Sequence, residues 1–149
     1  MDKIDSSSVE FIVIHHSNRI LDCPLFIRLR HKFLRGWDDT GYHYMIGNGI
    51  LCKDGVVYEG RSTDYVGAHS YGYNQKSIGI CLIGNFDVVK PTYKQYRALL
   101  ALLEKLQVKY TIPAVKVLNH NETHNCEKTC PGKHFPISRL RQLLRMLIE

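Results

Sequence analysis

The chain has 149 residues, enough for one domain with its own hydrophobic core. Its 44% hydrophobic and 23% charged content is that of an ordinary globular protein and excludes a disordered or fibrous chain. The formal charge of +6 suits an anionic partner such as a nucleic acid, an anionic membrane or a cell-wall polymer, and equally serves simple solubility.

Five cysteines, an odd number, are scattered along the chain, which argues against a secreted disulfide framework. The polar start, Met1 to Ser8, lacks the apolar core of a signal peptide, and no run approaches the ~20 apolar residues of a membrane span. The expectation is a chain made in a reducing cytoplasm. It would act outside only after release or export.

Residues 1–9 read as a loose leader. Val9 to Ile14 is a short β-branched run, expected as a buried strand, and it ends in His15-His16. Successive strand residues face opposite ways, so one of the two histidines points into a cleft and the other away. Asp22 and Pro24 signal a helix start, with apolar positions from Leu25 to Leu34 and a solvated basic face of Arg28, Arg30, His31, Lys32 and Arg35. Residues 36–41 form a turn-rich link, and Trp37 within it is expected in the core, with stacking on a ligand as the alternative.

A meander follows, with strands at Gly41 to Ile46, Ile50 to Cys52 and Val56 to Gly60. Alternation puts Tyr42 and Tyr44 on one face and His43 on the other. Asp64 to Asn74 is loop-like and holds His69. Ser77 to Gly84 is nearly all apolar, which predicts a central strand covered on both faces. Thr92 and Gln95 make a capping box for the longest helix, whose stripe is Tyr96, Leu99, Leu100, Leu103 and Leu106; Ile112-Pro113 ends it. Val115 to Leu118 is a further strand. Pro136 to Ile148 is a last helix, with Leu140, Leu143, Leu144 and Leu147 inward and Arg139, Arg141 and Arg145 outward. This order predicts a single α/β domain, a central mixed β-sheet flanked by helices.

The densest chemistry lies in Asn119 to Gly132, which packs His120, His124, Cys126, Lys128 and Cys130 into a segment of little apolar content. Imidazole and thiolate together favour zinc. Two sites are possible. His120, His124, Cys126 and Cys130 would make a closed, structural one. A strand-end histidine, His15, with His120 and Cys130 would leave a fourth position for water, as catalytic sites do. The second is favoured because two strands ending in histidine can lie side by side. Lys128 also suits the oxyanion of an attacked carbonyl better than it suits a structural metal loop.

The motifs Val13-Ile14-His15-His16-Ser17, Gly41-Tyr42-His43-Tyr44, Val66-Gly67-Ala68-His69, Gly72-Tyr73-Asn74, Ser77 to Gly84, His120-Asn121-Glu122 and Lys128-Thr129-Cys130-Pro131-Gly132 occur in one order. In that order they resemble the zinc-dependent type-2 N-acetylmuramoyl-L-alanine amidases, a family that includes phage endolysins and peptidoglycan recognition proteins. The resemblance covers Phe11 to Leu140. It implies an amidase-like fold and Zn2+ held by His15, His120 and Cys130. It further implies Tyr42 and Lys128 as catalytic residues, and His69 and Tyr73 in the substrate groove. His16, His124 and Cys126 then fall outside the metal's ligands. The implied substrate is bacterial peptidoglycan, at the amide between N-acetylmuramic acid and L-alanine of the stem peptide. Where the family's recycling branch carries a glutamate this chain has Cys81, as in the phage branch.

Two other readings stand beside this one. A peptidoglycan-binding module without catalysis would lack the thiolate that Cys130 supplies. A nucleic-acid-binding zinc protein finds no recognition helix and no aromatic-basic interleaving. A monomer is expected, and the sequence does not decide whether a polymerase is also bound.

Overall fold

β1 (Phe11–His16) is an inner strand of the sheet, with a parallel neighbour on each side. The structure, a computed structural model, describes residues 1–123 and 128–148. In chain order the other elements are α1 (Pro24–Leu29), β2 (Tyr44–Ile46), β3 (Val57–Glu59), β4 (Ser77–Leu82), α2 (Tyr93–Tyr110), β5 (Val117–Asn119) and α3 (Ile137–Ile148). The sheet order is β3-β2-β4-β1-β5. β3 alone is antiparallel to its neighbour, so the sheet is mixed, as expected.

Strand alternation sorts the core into two clusters. Ile12 and Ile14 of β1 and Ile78, Ile80 and Leu82 of β4 meet Leu99 and Leu103 of α2 and Leu140 and Leu144 of α3. On the opposite face Met45, Cys81 and Ile83 meet Ile27 of α1. The period-2 geometry makes this split necessary, because neighbouring residues in a strand cannot share a side. His15 pairs with Cys81 in the β1–β4 register and so belongs to the α1 face. The capping box at Thr92 forms, with the Gln95 N–H donating to the Thr92 hydroxyl at 3.0 Å.

Several expectations need correction. The first nine residues are not loose. Ile4 N–H donates to Asp64 O at 2.9 Å, Val66 N–H donates to Asp2 O at 2.8 Å, and Val9 is 4% exposed. Ile50 to Cys52 is an irregular stretch of the β2–β3 connection, because β3 pairs directly with β2. Tyr42 and Tyr44 do not share a face: Tyr42 packs in the Met45 and Cys81 cluster, Tyr44 against the larger one. The regular strand begins only at Tyr44, so alternation does not extend back to Tyr42.

α1 continues as a wider π-helical turn over Arg30–Leu34, and among its apolar residues only Ile27 is buried. Its basic face is partly tied down. Arg30 grips the buried Asp22 carboxylate through both terminal nitrogens at 3.0 and 2.6 Å, and Arg28 pairs with Asp39 at 2.9 Å. Trp37 is only half-buried and stands at a cleft rather than in the core. On α3, Leu147 is 57% exposed rather than inward, and Arg141 turns in to donate to Val117 O and pair with Glu122. Among the described residues no helix is long and apolar enough to cross a membrane.

Candidate metal centre and its cleft

The parallel pairing of β1 with β5 brings Ile14 opposite Asn119. The next residues of the two strands, His15 and His120, therefore emerge together at the same end of the sheet. Their rings lie 4.4 Å apart, centroid to centroid. Cys130 reaches them from the far side of the loop. Its carbonyl accepts from Asn121 N–H at 2.9 Å, so it is stitched to the turn that starts at His120.

Asp87 holds the same segment from outside. Its carboxylate accepts from the Thr129 hydroxyl at 2.6 Å and from Lys133 N–H at 3.0 Å. These bonds keep its pKa below the ordinary carboxylate value. Gly132 has φ +113°, and a side chain there would meet the backbone of Phe86 and Asp87, the nearest atom at 2.3 Å. Only glycine lets the chain pass this close after Cys130.

One donor atom from each of His15, His120 and Cys130 falls within 4.8 Å of the other two. The Cys130 Sγ to His15 Nδ1 distance is 3.8 Å. Two imidazole nitrogens and a thiolate suit zinc, whose bond lengths of ~2.0 Å to nitrogen and ~2.3 Å to sulfur separate neighbouring ligand atoms by roughly 3.6 Å in a tetrahedron. The donor set and its spacing thus fit the metal. Burial, followed by His69, His120 and His16, holds His15 well below the usual imidazole pKa. Burial and then Lys128 lower His120. Both rings are thereby kept in the neutral form that a metal ligand requires.

The centre opens into a cleft of about 790 Å³. His31, Arg35 and Trp37 line one side of it, and the loop from Ala68 to Asn74 contributes another part of the wall. Tyr42 and Lys128 also line it. The Tyr42 ring lies 5.1 Å from that of His15. Burial first, then the thiols of Cys81 and Cys130, push the Tyr42 phenol well above its ordinary pKa, so it is a proton donor at neutral pH.

Of the two residues assigned to the groove from sequence, His69 is at the cleft and Tyr73 is not. His69 does line the cleft, but both its ring nitrogens face protein partners, His15 Nε2 at 3.0 Å and Ser77 Oγ at 3.3 Å. Tyr73 is not part of the lining. Its ring packs edge-on against Phe11 at 5.2 Å, with the Lys76 ammonium 4.6 Å from its centre. His16 is on the other side of the sheet from His15, where its Nδ1 accepts from Phe86 N–H at 3.1 Å. His124 and Cys126, read as bystanders, lie outside the described residues.

Sequence reasoning passed over His31 and Ser77. The sequence pattern puts His31 on a solvated face, yet its Nδ1 accepts from Gly41 N–H at 2.9 Å and anchors the turn before Tyr42. The sequence pattern marks Ser77 only as a strand start. A hydroxyl opening an otherwise apolar central strand was the available signal.

Comparison with known proteins finds one matching family and several relatives. A family model described as N-acetylmuramoyl-L-alanine amidase matches residues 5–133. The endolysin of Klebsiella phage KP32 is 41% identical over 111 residues, which are 71% of this chain and 67% of that one. Peptidoglycan-recognition protein LB of Drosophila melanogaster is 36% identical over 132 residues, 82% of this chain and 54% of that one. The chain thus spans about half the length of the fly protein. Among solved structures, the N-acetylmuramoyl-L-alanine amidase LysC from Clostridium intestinale superposes with a TM-score of 0.84 at 33% identity, covering 94% of this chain and 87% of that one.

Proposed function

The chain belongs to the N-acetylmuramoyl-L-alanine amidase family, and on that footing we propose that it is a zinc hydrolase of bacterial peptidoglycan. The bond cleaved is the amide between the lactyl group of N-acetylmuramic acid and L-alanine of the stem peptide. The observation that carries this reading is the convergence of His15, His120 and Cys130 in a cleft that Tyr42 and Lys128 also line.

His15, His120 and Cys130 would hold the ion through two nitrogens and one sulfur. Zinc bound there supplies a Lewis acid that activates water and polarises a carbonyl at neutral pH. The remaining work falls to the chain itself. Tyr42, kept protonated by burial, offers its Oη–H to the oxygen on which negative charge develops. The Lys128 ammonium adds positive charge at the cleft, where that charge and the departing amine both benefit. Trp37 and Tyr71 give the cleft flat apolar faces for sugar or peptide, and Arg35 beside Trp37 gives it charge. Cys81 lies in contact with Tyr42 and its thiol is pushed well above the ordinary pKa, first by burial, so it supplies no base.

Mass spectrometry of digested peptidoglycan tests the proposal. Free stem peptides beginning with L-alanine are expected, lost on chelation and regained with zinc. Cuts within the glycan or between stem residues would contradict it. Binding of intact peptidoglycan without any product would mean a recognition module instead.

A further inference from the structure

The loop from Arg61 to Lys76 packs against Gly79 of β4 through the His69 ring. The ring lies in a slot that two glycines leave open. A Cβ at Gly79 would come within 2.6 Å of it, and one at Gly67 within 2.7 Å. Both ring nitrogens are engaged in this slot, and the partners differ in what they can offer.

Ser77 fixes one end. Its hydroxyl donates to the Tyr73 carbonyl at 2.7 Å. A serine hydroxyl has a single proton. Toward His69 Nε2, 3.3 Å away, Ser77 Oγ therefore acts as acceptor. His69 must carry its proton on Nε2, which leaves Nδ1 as a lone pair. That lone pair stands 3.0 Å from His15 Nε2, so His15 is the donor there. A neutral His15 with its proton on Nε2 has a bare Nδ1. Nδ1 is the atom that stands 3.8 Å from the Cys130 sulfur. The neighbouring His43 takes no part: its Nδ1 accepts from Gly79 N–H at 3.0 Å and its Nε2 faces Tyr65 O at 2.9 Å.

We propose that Ser77 and His69 are positioning residues, a hydrogen-bond relay that starts at the Tyr73 carbonyl and sets the His15 tautomer so that Nδ1 is free to bind the metal. The relay begins at a backbone carbonyl, which cannot ionise at ordinary pH, so it dictates the direction of every bond after it. It also explains why the loop places a histidine here. An imidazole accepts at one nitrogen while donating at the other, and so it passes the direction on. The role rests on the metal-site reading above, since only a ligand needs its free nitrogen specified.

The test has two parts, both on the full-length chain. Nitrogen-15 histidine NMR, recorded as purified and after zinc addition, reads each tautomer directly. Nε2–H forms are expected for His69 and His15; a His15 protonated on Nδ1 in the metal-free chain would overturn the relay. Zinc affinity, by competition with a chromophoric chelator, is then compared among variants. His69→Leu removes the acceptor and is expected to weaken binding about 10- to 100-fold, the usual loss for an outer partner of a metal-bound histidine. His69→Asn retains an oxygen near the Nδ1 position and should stay within roughly 3-fold of wild type. Equal losses in the two variants, or none in His69→Leu, would reduce His69 to a packing residue. A wild-type chain that binds no zinc would defeat the metal reading alone, because the NMR of the metal-free chain still reports the relay.

Discussion

Nδ1 of His15 and Sγ of Cys130, 115 positions apart in the chain, stand 3.8 Å from each other. That distance is long for a hydrogen bond and close to the edge of a zinc tetrahedron. Replacing the thiolate by a hydroxyl, Cys130→Ser, trades a soft anionic ligand for a hard neutral one. The zinc affinity is expected to fall by more than about 100-fold, beyond the loss typical of an outer partner. Amidase activity should fall with it at low zinc. A Cys130→Ser protein retaining full metal and full activity would sink the ligand assignment.

Tyr42 tests the chemistry separately from the metal. Tyr42→Phe removes one hydroxyl and leaves a ring of nearly the same shape in the Met45 and Cys81 cluster. Zinc content and thermal midpoint should stay near wild type. The kcat is expected to drop roughly 100- to 1,000-fold, the cost of losing one donor to a developing oxyanion, with KM changed little. A fall confined to KM would make Tyr42 a substrate contact rather than a catalytic one.

Part of this site is legible in sequence and part is not, for physical reasons. Two apolar strands that each end in histidine, at His15 and His120, announce their meeting, because a parallel sheet aligns its strand ends. The two-faced core follows from the same alternation. The role of His69 is not legible, since it depends on a loop laid over Gly79 and on the direction of the Ser77 hydroxyl. The ordered N-terminus is equally hidden, because its pairing partner is the distant 64–66 segment. The motif beside His69 implies a groove position for Tyr73, yet Tyr73 precedes a short 3₁₀ turn and its ring packs on Phe11.

The slot for His69 gives a steric prediction. Gly79 lies in β4 without a positive φ, so its backbone tolerates a side chain and only space is at issue. Gly79→Ala would drive a methyl to 2.6 Å of the imidazole. Overpacking of this kind costs about 1–3 kcal/mol. Denaturant unfolding should show that loss, together with weaker zinc binding as His69 is displaced. Unchanged stability and affinity would mean the loop moves away freely.

Asp22 is fully buried, and its carboxylate is held by the Arg30 fork and by Cys23 N–H at 2.9 Å. Removing only the cation strands a charge in the interior. Arg30→Met is therefore expected to destabilise the fold by about 3–5 kcal/mol. Asp22→Asn added to it should recover part of the loss, since the buried group is then neutral. Strict additivity of the two changes in denaturant unfolding would show that the pair does not act as a unit.

His31 predicts a dependence of stability on pH. Burial is the main cause that lowers its pKa from 6.5 to about 4, with Arg35, Arg30 and Arg61 adding to the effect and Asp22 opposing it. Between those two values the unfolded chain binds a proton at this position and the folded chain does not. Stability is then fully present above about pH 6.5 and declines as the pH falls toward 4. The ring is only half-buried, so solvent screening limits the effect to about 1–2 kcal/mol. Other buried histidines push in the same direction, and a comparison with His31→Asn isolates this one. The asparagine oxygen can still accept from Gly41 N–H but does not titrate. Thermal midpoints across pH 4–7 should fall less steeply in the variant; parallel curves would remove His31 as a source of acid sensitivity.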